Sequence, residues 1–262
     1  MSSEKQIEFT KENIDIYLKE LAKEYRKQIG KNTPAEIILI GGASVLVNYG
    51  FRDMTTDIDA VIRAASVMND VINRIGDRYN LPNGWLNQDF VRTVSYSPKL
   101  ACFSQYYKTY SNVLTIRTVL AEYLIAMKLR SGRQYKSDLS DVLGILAEHE
   151  KQGNPITMER IQRAVSDLYG NWDALPESSR NFISSVMNDG SFTKLYEETI
   201  VGENETKELL IGFEQNYPGI TREDNVDIIA ESLQKKTNRA AILLQLRNRK
   251  AGKPPDFPDA DD

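Results

Sequence analysis

An apolar run that stops on two glycines constrains this chain more than any other stretch. Ile37 to Ile40 is short, β-branched and wholly apolar, and reads as a buried strand. Gly41 and Gly42 then turn the chain, and Ala43 to Tyr49 reads as a short helix. Glycine lets an anion such as phosphate approach the backbone closely. The first turn of a helix offers unpaired N–H groups and a partial positive charge. Ser44 is expected to add a hydroxyl donor. Alone, such a turn is more often a plain strand-to-helix connection. The weight comes from the next segment, Arg52-Asp53-Met54-Thr55-Thr56-Asp57-Ile58-Asp59, which leads into a second strand predicted over Asp57 to Ile62.

Asp57 and Asp59 stand two apart on that strand, so both carboxylates leave one face while Ile58 enters the core. Carboxylates that close repel each other unless a cation sits between them. Magnesium takes hard oxygen ligands and keeps positions open for phosphate oxygens, and a pair of such ions can hold attacking and leaving oxygens together. A lone Asp-x-Asp is as readily a solvated strand edge. The strand–helix–strand order around it favours the metal reading.

A further element lies downstream. Leu120 to Arg130 reads as a helix that is apolar around most of its surface yet carries Lys128, with Gly132 ending it. A lysine in such a setting needs a polar space or an anion, and a triphosphate is a natural partner. Asp138 and Asp141 share a face at the start of the next helix, Asp138 to Glu148. Arg117, Lys128, Arg130, Arg133 and Lys136 form a local basic stretch that could line the rim of a nucleic-acid site, although the net charge of −4 gives the chain no global basic field.

The remaining sequence sets the organisation. Helices are expected from Ile14 to Tyr25 behind Thr10 as N-cap, and from Ser66, as a cap, to Tyr79. Strands are expected within Phe90 to Gln105, including Leu100 to Phe103, and over Val113 to Val119. Beyond Pro155 only helices are legible, at Thr157–Tyr169, Glu177–Met187, Thr206–Asn216 and Asp224–Leu246. The fold class is therefore α/β, a mixed sheet flanked by helices followed by an all-helical region. The expected domains are 1–150, a helical domain over 151–250 and an acidic disordered tail over 251–262. A single cysteine, Cys102, excludes an intrachain disulfide and a cysteine-built zinc site. His149, the sole histidine, reads as an exposed surface residue. The polar N-terminus and the lack of long apolar runs make a cytoplasmic location, away from membranes, the default expectation.

Gly41, Gly42 and Ser44, then Arg52, Thr55, Thr56, Asp57 and Asp59, then Lys128, then Lys136 with Asp138 and Asp141, together resemble bacterial minimal nucleotidyltransferases of the abortive-infection AbiEii-like kind. They resemble still more the uncharacterised prokaryotic proteins grouped beside these. Trp85-Leu86-Asn87 fits the same grouping. The resemblance covers about Ile14 to Ala147. It implies the polymerase beta-like nucleotidyltransferase fold, nucleoside triphosphate and magnesium as ligands, and transfer of a nucleoside monophosphate to an RNA end, such as that of a tRNA, or to a protein hydroxyl. It implies a toxin–antitoxin or phage-defence setting with a cognate toxin or antitoxin partner. Asp57, Asp59, Lys128 and Asp138 would be catalytic, with Asp57 and Asp59 the metal ligands. Gly41, Gly42, Ser44, Arg52, Thr56 and Lys128 would hold the nucleotide. One departure is visible: the strand Asn112 to Thr118 carries no third metal carboxylate and offers Thr115 and Arg117 instead, leaving Asp89 or Asp138 as substitutes. That departure keeps open a second reading, a catalytically weak nucleotide-binding or partner-binding module on the same fold.

Overall fold

The central strand explains the layering. In the computed structural model, which describes residues 8–132, 137–222, 225–226 and 228–235, strand β1 (Ala35–Leu39) is buried on both faces. Ile37 and Leu39 enter one apolar cluster, while Ile38 and the following Ile40 enter another. An apolar run without alternation is what a strand covered on both sides requires.

Around β1 lies a five-stranded mixed sheet in the order β3-β2-β1-β5-β4. Strand β2 (Ile58–Arg63) runs antiparallel to β1, and β3 (Leu86–Asn87) runs parallel to β2. On the other side β5 (Leu114–Val119) is parallel to β1, and β4 (Ser104–Tyr110) closes the edge antiparallel to β5. The α/β class expected from the sequence, a mixed sheet flanked by helices, is the class observed.

One face carries α1 (Lys11–Ile29) and α3 (Val67–Tyr79). Helix α1 buries Ile14, Leu18, Leu21 and Tyr25, spaced three and four apart, and starts on a capping box between Thr10 and Asn13. The other face carries α4 (Ala121–Ser131), wrapped by α5 (Asp138–Lys151), α6 (Met158–Tyr169) and α7 (Glu177–Asp189). Helix α4 buries an unbroken run from Tyr123 to Leu129, as a helix apolar all round must. Gly132 ends it in the left-handed conformation, φ +61. Short α2 (Gly41–Asn48) connects β1 to the segment before β2.

Several expectations need correction. Both glycines belong to the first turn of α2 rather than preceding it. Strand β2 starts at Ile58, so Asp57 stands just outside it. Ser66 precedes α3 without a side-chain capping bond. Leu100 to Phe103 is no strand: Pro98 opens a 3-10 turn to Phe103, with the Ser97 hydroxyl accepting from Lys99 N–H. Proline has no N–H for a ladder, which is why the turn wins there. Strand β4 is hidden by its polar sequence, Ser-Gln-Tyr-Tyr-Lys-Thr-Tyr, the pattern of an exposed edge. A three-residue connection, Ser111 to Val113, joins it to β5; Ser111 and Asn112 are both at positive φ, +52 and +53, and Val113 N–H donates back to Tyr110 O.

One compact unit comprises residues 1–132 and 138–197. Ile161, Val165 and Ile183 of α6 and α7 share the core of α4. Helix α8 runs over Phe192–Asn216, longer than the expected Thr206–Asn216. The second unit comprises residues 133–137 and 198–262; within it the Gln234 amide donates to Thr206 Oγ1. The tail over 251–262, Arg133, Lys136 and the later part of the expected Asp224–Leu246 helix lie outside the described residues. Among the described residues no helix is long and apolar enough to cross a membrane.

Candidate functional site

The loop before β2 is pinned from three sides. Thr55 exchanges two backbone hydrogen bonds with Phe9, at 2.8 and 2.9 Å, Ile58 N–H donates to Trp85 O at 3.0 Å, and Ile40 N–H donates to Asp59 O at 2.9 Å. These bonds hold the Asp57–Asp59 segment against the Gly-Gly turn. Asp59 Oδ2 lies 3.7 Å from where a Cβ on Gly41 would stand, and Gly41 itself has φ +53. A side chain at Gly41 would thus be strained and would lean on the carboxylate.

Gly42 is tighter still. A Cβ there would stand 2.7 Å from Thr55 Oγ1 and 3.0 Å from Arg52 Nη2. So Gly41, Gly42, Arg52, Thr55 and Asp59, scattered over nineteen positions of sequence, meet at one place. Thr56, the threonine expected at the nucleotide, is exposed, and the buried Thr55 takes the position against the glycine. No strand period in the sequence marks Thr55 over Thr56, because β2 begins only at Ile58.

Ser44 turns away from this place. It is 0 % exposed, and its hydroxyl accepts from Val119 N–H at 3.2 Å. This corrects the expectation of a phosphate-facing hydroxyl, since one turn into α2 its side chain points into the core and ties the helix to the end of β5.

Arg52 leads to a second group. Its Nη1 donates to both carboxylate oxygens of Asp141, at 2.7 and 2.6 Å, and its Nε donates to Met54 O at 3.0 Å. Lys128 Nζ stands 2.7 Å from Asp138 Oδ1 and 2.8 Å from Asp141 Oδ2. Lys128, Asp138 and Asp141 are only 8, 1 and 2 % exposed. Burial alone pushes the Lys128 ammonium down, but Asp141 and Asp138 outweigh it and hold the group above the ordinary lysine value. The anion that the sequence demands for Lys128 is therefore supplied by two side chains of its own protein. The same contact shows why Asp138 and Asp141 must share a face.

Among the described residues the basic stretch does not assemble into a rim. Lys128 is buried, and Arg117 donates through Nε to Ser104 Oγ at 2.8 Å and lies 3.7 Å from Glu36. Arg130 packs over the Tyr169 ring. His149, expected as a plain surface residue, is half-buried, with Nε2 3.1 Å from the Tyr49 hydroxyl and Nδ1 3.3 Å from Asn154 O.

As for a metal, Asp57 is exposed and Asp59 half-buried. Among the described residues no group of three His, Cys, Asp or Glu side chains stands ready to hold an ion. Two hard carboxylates leave coordination positions for water and phosphate, which is the donor set magnesium accepts with a bound polyphosphate. Topology also moves the place where a third strand acid would stand. Strand β5 is separated from β2 by β1, and the strand beside β2 is β3, where Asn87 stands in register with Asp59. Asn87 spends its amide locally, donating to Gly84 O and accepting from Asp89 N–H.

No curated protein and no solved structure matches the chain. A family described as "Nucleotidyltransferase of unknown function (DUF6036)" matches residues 17–150, a span that contains the glycine turn, Arg52, both strand aspartates and the Lys128 group. With that match over half of its length, the chain belongs to this nucleotidyltransferase family.

Proposed function

We propose that the protein transfers a nucleoside monophosphate from a magnesium-bound nucleoside triphosphate to a hydroxyl acceptor. The observation that carries this reading is the convergence of Gly41, Gly42, Arg52 and Asp59. It brings a glycine turn at a helix N-terminus, a guanidinium and a carboxylate to one place, which suits a polyphosphate held by backbone N–H groups and a cation. Asp57 and Asp59 would hold magnesium, which neutralises phosphate charge and leaves the α-phosphorus open to attack. The acceptor oxygen forms a bond to the α-phosphorus, the bond to the β-phosphate breaks, pyrophosphate leaves and the hydroxyl proton passes to water. The protein's share is position and charge.

Among acceptors we place a protein hydroxyl ahead of an RNA end, because the described part of the basic stretch supplies no rim for a phosphate chain. The AbiEii-like grouping, and with it a toxin or antitoxin partner, rests on the resemblance of the motifs. Incubation with labelled nucleoside triphosphates, magnesium and cell extract tests the reading. Label should appear on a protein band with the parent and vanish with Asp59→Asn. Label on RNA would make RNA the acceptor, and no transfer of any kind would overturn the enzymatic reading.

One observation favours the second reading, a nucleotide-binding module of weak catalysis. The position beside Asp59 is an amide, Asn87, where a carboxylate would strengthen a second metal. Binding of triphosphate without transfer would select it.

A further inference from the structure

We infer that Asp141 is a positioning residue: backed by Lys128 and Asp138, it fixes the Arg52 guanidinium so that Nη2 faces the Gly41–Gly42 turn as a phosphate donor. The inference rests on the reading of that turn as a phosphate site.

The three nitrogens of Arg52 divide the work. Nε is bound by Met54 O and Nη1 by Asp141. Nη2 lies over Gly42, 3.0 Å from where its Cβ would stand, while the hydrogen bonds of Arg52 run through Nε and Nη1. A planar fork held at two of its nitrogens has its third nitrogen fixed in direction. Arg52 sits on the chain between α2 and β2, whereas Asp141 and Lys128 sit on helices of the core. A loop-borne donor gains its precision from such a scaffold.

Lys128 and Asp138 make the arrangement durable. Two buried carboxylates side by side would repel, and one would take up a proton. Lys128 Nζ, within 2.8 Å of both, places a cation between the two carboxylates, while both oxygens of Asp141 accept from Arg52 Nη1. Arg52 and Lys128 balance the charge of Asp138 and Asp141, so these carboxylates need no metal for compensation. In this arrangement Lys128 acts through Asp141 and Arg52 rather than on phosphate directly.

A double-mutant cycle on the full chain tests the inference, with magnesium tripolyphosphate as the probe in calorimetry. Asp141→Asn, which preserves shape, should weaken binding on the order of tenfold, the scale of one charge-assisted hydrogen bond. Arg52→Gln should do the same, and the double variant should be no weaker than the weaker single one. Arg52→Lys, which keeps the charge at a partly exposed position, should also lose affinity, because an ammonium cannot span Met54 O, Asp141 and the turn. Unchanged binding by Asp141→Asn, losses that multiply in the double variant, or full affinity in Arg52→Lys would each overturn the inference. Nitrogen-detected NMR of the Arg52 guanidinium separates the positioning role from the phosphate site. Restricted rotation in the parent that is freed by Asp141→Asn shows the fixing itself; a parent with a fixed guanidinium and no tripolyphosphate binding would sink the phosphate site instead, and a freely rotating guanidinium in the parent would sink the positioning role.

Discussion

Lys128 Nζ and Asp138 Oδ1 meet at 2.7 Å in a place where neither side chain reaches much water. Removing the cation takes a close partner from two buried carboxylates at once, Asp138 and Asp141. Lys128→Ala should therefore cost about 3–5 kcal/mol of stability, the usual penalty for breaking a buried ion pair from one side. Urea unfolding of the parent and the variant measures it. A loss below about 1 kcal/mol would show that water reaches the aspartates freely.

The same pair has a pH signature. The Lys128 ammonium is held above the ordinary value of 10.5 in the folded chain. Its contribution to stability is thus complete below the unfolded pKa and is lost as pH rises through the higher folded one. The difference in stability between the parent and Lys128→Met should be constant from neutral pH to about 10 and should shrink above 10.5. Thermal melts at matched ionic strength, from neutral pH to about 11, give the curve; a difference that stays flat throughout speaks against the charged pair.

Asp15 gives the opposite sign. Burial raises its pKa, but hydrogen bonds from Lys108, Tyr110 and Tyr107 outweigh this and hold it below 3.8. Its stabilising part is present above the unfolded pKa and lost as pH falls through the lower folded value. Asp15→Asn should weaken the chain by about 1–2 kcal/mol at neutral pH, as expected for lost hydrogen bonds to an ionised group. That difference should fade below pH 3.8. Acid titration of the denaturation midpoint checks both the size and the direction.

Period and packing decide how much of the site is legible in the sequence. Gly41-Gly42, Asp57 and Asp59 are visible because a strand, a turn and a second strand each leave a local mark. The partner of Lys128 is half visible: its apolar surroundings call for an anion, but only the folded α4 and α5 show that Asp138 and Asp141 provide it. Ser44 misleads because a hydroxyl beside a glycine turn has two outlets, and only tertiary structure reveals that it bonds Val119. The neighbour of Asp59 is beyond reach, since β3 is two residues long and leaves no periodic signal. Strand β4 escapes for a different reason, because its polar faces imitate a loop.

Gly42→Ala tests the close approach. Its methyl would meet Thr55 Oγ1 at 2.7 Å and Arg52 Nη2 at 3.0 Å. Thr55 is buried and Arg52 is tied to Met54 O and Asp141, so neither yields without loss, and stability should fall by about 1–3 kcal/mol, the usual range for overpacking. Binding of a nucleoside triphosphate should fall much more, because Arg52 moves. Calorimetry beside thermal melting distinguishes the two, and an unchanged affinity would remove Gly42 and Arg52 from the phosphate site.

Gly144→Ala decides between two opposing effects. Within α5 alanine should favour the helix by about 1 kcal/mol. Yet the new methyl would stand 2.6–2.7 Å from three ring carbons of Phe51. Phe51 is also stacked on Tyr49 and edge-on to Tyr196, so it cannot move cheaply. The expected net result is a loss of about 1–3 kcal/mol by chemical denaturation, as overpacking of a filled core costs. A gain would mean that Phe51 has room to shift.

Because β1 sends alternate side chains into two separate clusters, neither layer of helices has a finished surface to rest on without it. Peeling α1 and α3 away would bare Ile37 and Leu39, and releasing α4 would bare Ile38 and Ile40. The strand couples the two layers, since opening either side bares apolar residues of β1. Amide protons of Ile37, Ile38 and Leu39 should then exchange with solvent only through global unfolding, at one common free energy, while those of the edge strand β4 leave sooner.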